Sequence, residues 1–276
     1  THPMHRPTVL VLAALPPAIQ PVLEAAYDCI DATTPAALEA ALDSPARPIR
    51  ALAGNGGSQI PAALLDRLPA LEIVVICGVG YDGVDVAACR ARGIRVTNTP
   101  DVLTDDVADI AAALVLMTSR QLLAANRYLL DGQWLKGHYP LTAALRGKTA
   151  GILGLGRIGK AIAARLESFG MRIAYHGRRP QDVPHAYHDS LTALAAASDF
   201  LILACPGGAD THHLVDAAVL RALGPQGTLI NIARGSVVDE PALIRALESG
   251  EILAAGLDVF ENEPAVPEAL LNHPRA

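Results

Sequence analysis

Short apolar runs alternate along the whole chain with stretches rich in Ala, Leu and Arg that follow a helical period. This alternation is typical of parallel sheets covered by helices, because strands buried on both faces are almost continuously apolar. It therefore predicts an α/β fold. Near the amino end the pattern predicts strands at Thr8–Ala14, Arg50–Ala53, Glu72–Cys77 and Ile94–Thr97, and helices at Pro17–Ala26, Pro35–Leu42 and Pro61–Arg67.

A second series of the same kind follows the turn at Asn98-Thr99-Pro100. It opens with a helical stretch, Val102–Leu130, which we predict to be one long helix. The pattern then predicts a strand at Thr149–Leu153, a helix at Ile158–Phe169, and strands at Arg172–His176, Phe200–Ala204, Thr228–Ile232 and Ala254–Asp258. We expect two doubly wound parallel-sheet domains, residues 1–98 and 99–276.

A glycine-rich turn lies between the strand at Thr149–Leu153 and the next helix. Its sequence, Gly154-Leu155-Gly156-Arg157-Ile158-Gly159, fits the dinucleotide fingerprint in the required strand-turn-helix context. Amides at the start of the helix would bind the diphosphate. A plain tight turn is the alternative for such a short motif. The context favours a dinucleotide site in the second domain.

The end of the next strand bears on which dinucleotide binds. A carboxylate there would accept hydrogen bonds from the ribose of NAD, but the sequence is His176-Gly177-Arg178-Arg179. Two guanidinium groups can form charge-assisted bonds to a 2′-phosphate. The alternative is a solvated basic turn. We predict NADP(H) as the preferred cofactor, with NAD(H) as a second choice.

Composition narrows the class of protein. The net charge of −6 and the absence of basic clusters argue against a nucleic-acid partner. The apolar runs are too short for a membrane span, and no signal-peptide stretch follows the first residues. Four dispersed cysteines indicate reduced thiols and a cytoplasmic location. We predict solvated surface rather than a metal site for the pairs His185/His188 and His212/His213, because no carboxylate lies at ligand spacing.

Several motifs in order make the chain similar to the D-isomer-specific 2-hydroxyacid dehydrogenase family, and in particular to its glyoxylate/hydroxypyruvate reductase branch. The resemblance covers nearly all residues and implies a flavodoxin-like substrate domain beside a Rossmann cofactor domain. The matching stretches are Gly78-Val79-Gly80-Tyr81-Asp82, Asn98-Thr99-Pro100 with Asp101–Asp109, Gly151–Gly159, Asn231-Ile232-Ala233-Arg234-Gly235, and Gly256-Leu257-Asp258-Val259-Phe260 with Glu263-Pro264.

The resemblance also implies roles for single residues. Backbone amides of Val79 and Gly80 should hold the substrate carboxylate, and Asn55 and Gly56 match the neighbouring substrate loop. Arg234 follows an apolar strand, where a guanidinium can clamp carboxylate and carbonyl oxygens; a structural ion pair is its alternative. The expected cofactor contacts are Thr104, Gly154, Leu155, Gly156, Arg157, Ile158, Gly159, His176, Arg178, Arg179, Cys205, Pro206, Ile232, Ala233 and Asp258.

For Asp258, which would bind the nicotinamide carboxamide, a helix or turn cap is the alternative. Glu263 matches the carboxylate that keeps the family's catalytic histidine protonated. We expect that general acid beyond Ala276, on a segment that also completes the first domain. His273 lies too close to Glu263 to take this role.

The implied reaction is reduction of a small 2-oxo acid, glyoxylate or hydroxypyruvate, by hydride transfer. One alternative is a corepressor-like protein that senses dinucleotides without turnover. Another is an NAD-dependent relative such as phosphoglycerate dehydrogenase. The apolar residues on more than one face of Val102–Leu130 predict burial beyond the monomer. The resemblance implies a homodimer formed through the cofactor domain, with Trp134 at the interface or reaching the partner's active site.

Overall fold

The computed structural model describes residues 6–43 and 48–276. The chain divides into two compact units, Thr1–Val102 and Leu103–Ala276. The division thus falls four residues after the boundary that we placed from the sequence, at residue 98. Each unit contains one parallel sheet.

In the first unit, the sheet has the order β2-β1-β3-β4-β5, which is the flavodoxin-like arrangement. Leu10, Leu52 and Val74 on its central strands are fully buried. Its strands are β1 (Thr8–Val11), β2 (Asp28–Asp31), β3 (Ile49–Asn55), β4 (Ile73–Cys77) and β5 (Arg95–Thr97), and its helices are α1 (Gln20–Ala26), α2 (Pro35–Asp43), α3 (Ala62–Asp66) and α4 (Val86–Ala91).

The second unit contains a six-stranded parallel sheet between two layers of helices. Its helices are α5 (Thr104–Arg120), α6 (Leu122–Leu130), α7 (Arg157–Ser168), α8 (Leu191–Ala196), α9 (Ala217–Leu223), α10 (Glu240–Ser249) and α11 (Glu268–Leu271). Its strands are β6 (Thr149–Leu153), β7 (Arg172–His176), β8 (Ala186–Tyr187), β9 (Phe200–Leu203), β10 (Thr228–Asn231) and β11 (Ala254–Leu257).

The strand order of this sheet is β11-β10-β9-β6-β7-β8. From β6 the chain first winds outward through β7 and β8, and then returns to place β9 on the other side of β6. This is the order of the dinucleotide-binding fold, which binds ligands where the winding reverses. The predicted α/β class with two doubly wound parallel sheets is therefore confirmed.

Successive side chains of a strand point to opposite faces of the sheet, so each strand contributes to both apolar layers. Ile202 of β9 packs into one cluster with α5 and α7, whereas its neighbours Leu201 and Leu203 pack into the cluster on the opposite face. Among the described residues, five helices begin with a side-chain cap. In each of them an amide of the first turn donates a hydrogen bond to the side chain of Thr34, Asp85, Ser190, Asp216 or Asp239.

The prediction of one helix over Val102–Leu130 was wrong. Gln121 adopts a left-handed conformation with φ 50°, which ends α5, and α6 starts at the next residue. Among the described residues, no single helix is long and apolar enough to span a membrane. Helices α5 and α6 reach the necessary length and apolar composition only when counted together, and a bend of 55° separates them. Ala108, Ala111 and Val115 of α5 are fully buried in the core of the second unit.

Candidate active site

The ends of five strands in the second sheet lie in one row. Leu153 pairs with His176 on one side and with Leu203 on the other, Leu203 pairs with Asn231, and Asn231 pairs with Leu257. Because all the strands are parallel, the residues that follow these five emerge at the same edge. Most of the predicted cofactor residues are in those segments.

The glycine-rich turn leaves this edge at the centre, after β6. Gly154 has φ 94°, and a Cβ there would lie 2.9 Å from the backbone nitrogen of Cys205. A Cβ on Gly159 would overlap the carbonyl oxygen of Gly154. Both positions therefore need glycine, for a positive φ and for close packing of α7 against the turn.

The start of α7 presents amides to this edge. Its N-cap residue is Gly156, so no side chain caps the first amides, and a Cβ on Gly156 would meet no atom within 4 Å. Leu155 is buried beneath the turn, while Arg157 is exposed and Ile158 is partly buried. Uncapped amides at the positive end of a helix are suited to a diphosphate, so this turn fits a dinucleotide.

Two further loops at this edge of the sheet contain predicted cofactor residues. Cys205 and Pro206 follow β9, and burial raises the pKa of the Cys205 thiol to about 11. Ile232 and Ala233 follow β10 and are buried. The loop after β9 therefore adjoins the glycine-rich turn, and the loop after β10 lies one strand further, on the side of the sheet where the winding reverses.

The basic turn lies on the other side of the glycine-rich turn, after β7. Arg178 and Arg179 are exposed, and neither guanidinium forms an ion pair with any residue that the structure describes. Arg67 and Arg165, by contrast, each contact two carboxylates. His176 at the start of this turn is held through Nδ1, which lies 2.8 Å from the carbonyl oxygen of His188.

Arg234 stands on a turn that Asn231 stabilises from within the sheet. The Asn231 side chain, 1% exposed, donates to the carbonyl of Arg234 at 2.9 Å and accepts from the amide of Ala233 at 3.0 Å. Nη1 of Arg234 donates to the carbonyl of Ala233 at 2.8 Å, and the side chain is half-buried. The backbone that carries this guanidinium is therefore fixed by buried hydrogen bonds.

The segment after β11 packs directly against the Arg234 turn. A Cβ on Gly235 would overlap the carbonyl of Phe260, so only glycine permits this contact. Asp258 at the start of the segment is exposed, and its amide donates to the carbonyl of Asn231 at 3.0 Å. Glu263 is exposed as well, and its Oε1 accepts from the amide of Phe260 at 2.9 Å.

His212 is exposed, as predicted for a solvated surface, but His213 has a carboxylate partner that the sequence did not indicate. Nε2 of His213 lies 2.6 Å from Oε1 of Glu261, a carboxylate 48 residues away in the sequence. The amide of Glu261 in turn donates to Glu240, which is 5% exposed. This contact ties the loop after β9 to the segment that carries Glu263, and local spacing could not reveal it.

His212, His213 and Glu261 are close enough by distance to hold a metal ion. The two imidazole rings, however, are stacked with centroids 3.9 Å apart and planes only 19° from parallel. Ring-nitrogen lone pairs lie in the ring plane, so nearly parallel rings do not direct them to one point.

His185 is not fully solvated either, because its side chain is 14% exposed and lies 3.7 Å from Glu167.

The candidate substrate loops of the first unit also lie side by side. Asn55 pairs with Cys77 at the ends of β3 and β4, and a Cβ on Gly78 would lie 3.4 Å from the amide nitrogen of Gly56. The Asn55 Oδ1 accepts from the amide of Gly57 at 2.9 Å. Val79 and Gly80 follow, and neither of their amides donates to any described residue.

Asn98 and Thr99 hold the Gly78–Gly80 turn, a role that the sequence did not indicate. Asn98 Nδ2 donates to the carbonyl of Val79 at 2.8 Å, and the amide of Gly78 donates to Oγ1 of Thr99 at 3.0 Å.

Thr104 is not part of the row of strand ends in the second unit, because it is the first residue of α5.

Comparison with known proteins agrees with this arrangement. A family model described as D-isomer specific 2-hydroxyacid dehydrogenase, NAD binding domain, matches residues 112–276. The chain is 49% identical over 226 residues to a hydroxyphenylpyruvate reductase of Plectranthus scutellarioides, covering 82% of this chain and 72% of that protein. It is 44% identical over 263 residues to a glyoxylate/hydroxypyruvate reductase A of Arabidopsis thaliana, covering 95% and 84%.

A solved structure with the same fold is the NADPH-dependent glyoxylate/hydroxypyruvate reductase of Sinorhizobium meliloti in complex with NADP and malonate. The match has a TM-score of 0.90 at 49% identity and covers 98% of this chain and 84% of that one. The family model, which covers more than half of the chain, and these relatives together show that the chain belongs to the D-isomer specific 2-hydroxyacid dehydrogenase family.

Proposed function

We propose that this oxidoreductase reduces a small 2-oxo acid, glyoxylate or hydroxypyruvate, to the D-2-hydroxy acid with NADPH. The observation that carries the proposal is the row of strand ends in the second sheet. It places an uncapped helix start, two arginines without ion-pair partners among the described residues, and Arg234 at one edge. These groups offer donors to a diphosphate, a 2′-phosphate and a carboxylate.

The cofactor site is built from backbone and guanidinium donors. The amides at the start of α7 bind the diphosphate, and Arg178 and Arg179 bind the 2′-phosphate. The carboxylate of Asp258 accepts a hydrogen bond from the nicotinamide carboxamide. When bound, the dinucleotide supplies the hydride that adds to the carbonyl carbon of the oxo acid.

Backbone amides and Arg234 bind the negatively charged groups of the substrate. The amides of Val79 and Gly80 bind its carboxylate, with Asn55 and Gly56 beside them. Arg234 binds the carbonyl oxygen and stabilises the negative charge that develops there. A histidinium gives this oxygen its proton, as the family resemblance implies, and Glu263 favours the protonated form of that imidazole.

We further propose that the protein is a cytoplasmic homodimer. The four cysteines Cys29, Cys77, Cys89 and Cys205 are free thiols, as a reducing compartment would keep them. Apolar side chains cluster on α6 and in the residues that follow it, where Trp134 is 61% exposed and Leu135 is 95% exposed. A patch of this kind is typical of a subunit interface.

The test of the proposed reaction is NADPH oxidation with glyoxylate, hydroxypyruvate, pyruvate and hydroxyphenylpyruvate, with chiral analysis of the products. We expect the highest kcat/KM with glyoxylate or hydroxypyruvate, and D products wherever C2 is chiral. Arg234→Ala should lower kcat/KM by about two to three orders of magnitude, because it removes transition-state stabilisation. A near-normal kcat/KM in this variant would remove Arg234 from the mechanism.

A larger oxo acid is the second candidate substrate, because one relative is a hydroxyphenylpyruvate reductase at 49% identity. Preference for hydroxyphenylpyruvate over both small acids in the same assay would select it. Tight dinucleotide binding without turnover of any of the four acids would favour a corepressor-like sensor. Equal use of NADH would favour an NAD-dependent relative.

A further inference from the structure

The turn that carries Arg178 and Arg179 is fastened at both ends by tyrosines. Tyr187 Oη donates to the carbonyl of Gly177 at 3.2 Å. At the other end, the amide of Gln181 donates to Oη of Tyr175 at 2.7 Å, and this Oη faces the carbonyl of Gln181 at 3.3 Å. Tyr175 is 1% exposed, so the second anchor is embedded in the core of the sheet.

The side chain of Gln181 links this turn to the glycine-rich turn. Its Nε2 donates to the carbonyl of Leu155 at 2.9 Å, across 26 residues of sequence. Leu155 lies between Gly154 and Gly156 and is 2% exposed, so its carbonyl belongs to a well-packed backbone. One amide group thus joins the turn that would bind the diphosphate to the turn that would bind the 2′-phosphate.

Gln181 acts together with the two tyrosines to hold the backbone that carries the arginines. Both arginines are exposed and have no ion-pair partner among the described residues, so their position depends on the backbone of the turn. Two phosphate groups at a fixed separation on one ligand are bound well only when their receptors are held at that separation beforehand. A turn that moves relative to the glycine-rich turn would lose this preorganisation.

We infer that Gln181 is a positioning residue for cofactor choice, which holds the Arg178–Arg179 turn at the distance from the glycine-rich turn that a 2′-phosphorylated dinucleotide requires. The inference rests on the proposed function of this site. It assigns to Gln181 no contact with the cofactor. Loss of the Gln181 side chain should therefore weaken the binding of NADPH, which carries the 2′-phosphate, but not the binding of NADH.

The experiment measures the dissociation constants of NADPH and NADH from the fluorescence of the bound reduced nicotinamide, so it does not depend on turnover. Gln181→Leu keeps the size of the side chain but removes the donor to Leu155. We expect NADPH binding to weaken about tenfold, as loss of one hydrogen bond implies. NADH binding should change less than threefold.

Two further variants test the same link. Tyr175→Phe removes the buried anchor without removing the ring, and it should shift the NADPH constant in the same direction. Gln226→Leu is the matched control, because Gln226 is exposed in the turn before β10. Both dissociation constants should stay at the wild-type values in this control. Circular dichroism on each variant confirms that the fold is retained.

The outcomes separate this inference from the proposed function. If wild type prefers NADPH, and replacing Arg178 and Arg179 removes the preference but Gln181→Leu does not, the inference is overturned and the function stands. Equal weakening of NADPH and NADH in Gln181→Leu also overturns it, because that pattern indicates a general role in folding the site. A wild-type protein without preference overturns the 2′-phosphate site and this inference together.

Discussion

We propose that the choice of cofactor depends on Arg178 and Arg179. Replacing both with Ala should raise KM for NADPH at least tenfold, because a 2′-phosphate then loses two charge-assisted partners. KM for NADH should change little, since NADH has no 2′-phosphate. Steady-state kinetics with both cofactors check this. Equal increases in the two KM values would contradict the assignment.

Cys205 is expected to be unreactive although it borders the glycine-rich turn. Burial raises the pKa of this thiol from its usual 9.0 to about 11, so the thiolate fraction at pH 8 falls by about a hundredfold. Alkylation at pH 8, followed by mass spectrometry, should therefore modify Cys205 far more slowly in the native protein than in denaturant. Similar rates in the two states would show that this thiol is not shielded.

Local motifs at the residue scale were readable from the sequence, but distant contacts were not. Gly154 has a positive φ and Gly159 has a close backbone contact, as the spacing of one motif predicts. Gln181 reaches Leu155 from outside any motif, and His213 reaches Glu261 across 48 residues. Such pairs depend on the order of the strands, so composition and spacing carry no signal for them.

At the scale of elements, the sequence predicted central strands better than edge strands and breaks. The central strand β9 is uniformly buried and therefore stands out as an apolar run. The edge strand β2, Asp28–Asp31, has two aspartates among its four residues and was not recognised. The break at Gln121 has neither Gly nor Pro, the residues that usually mark such a change of direction.

Asp199 joins the starts of β6 and β9, and this contact should depend on pH. Burial alone would raise the pKa of Asp199, but hydrogen bonds from Lys148 and from the amide of Thr149, each 2.8 Å long, lower it overall. A lowered folded-state pKa stabilises the protein above the unfolded-state value, and that contribution is lost as the pH falls through the folded-state pKa.

We therefore expect Asp199→Asn to lower the free energy of unfolding by about 1 kcal/mol at pH 7, since Lys148 is partly exposed and solvent weakens the pair. The difference from wild type should shrink at pH 3. Denaturant unfolding at both pH values measures it, with the exposed Asp182→Asn as the control. The same difference at pH 3 as at pH 7 would contradict the charge-based explanation.

For the whole molecule, the exposed apolar residues on and after α6 predict a dimer. Leu123 is 69% exposed and Leu135 is 95% exposed. Replacing both with Asp should produce a monomer, because each subunit would then bury two charges in the interface. Light scattering during gel filtration gives the mass. Val22→Asp, at a 69% exposed residue of α1, should leave the dimer intact. A monomeric wild type would contradict the proposed interface.

We propose that a hydride passes from the nicotinamide to C2 of an oxo acid. The most direct measurement uses NADPH with deuterium at both C4 positions, together with glyoxylate and the protein, and determines the mass of the glycolate formed. We predict glycolate with one deuterium on carbon for each NADPH consumed. Bound NADPH without glycolate, or glycolate without deuterium, would contradict this proposal.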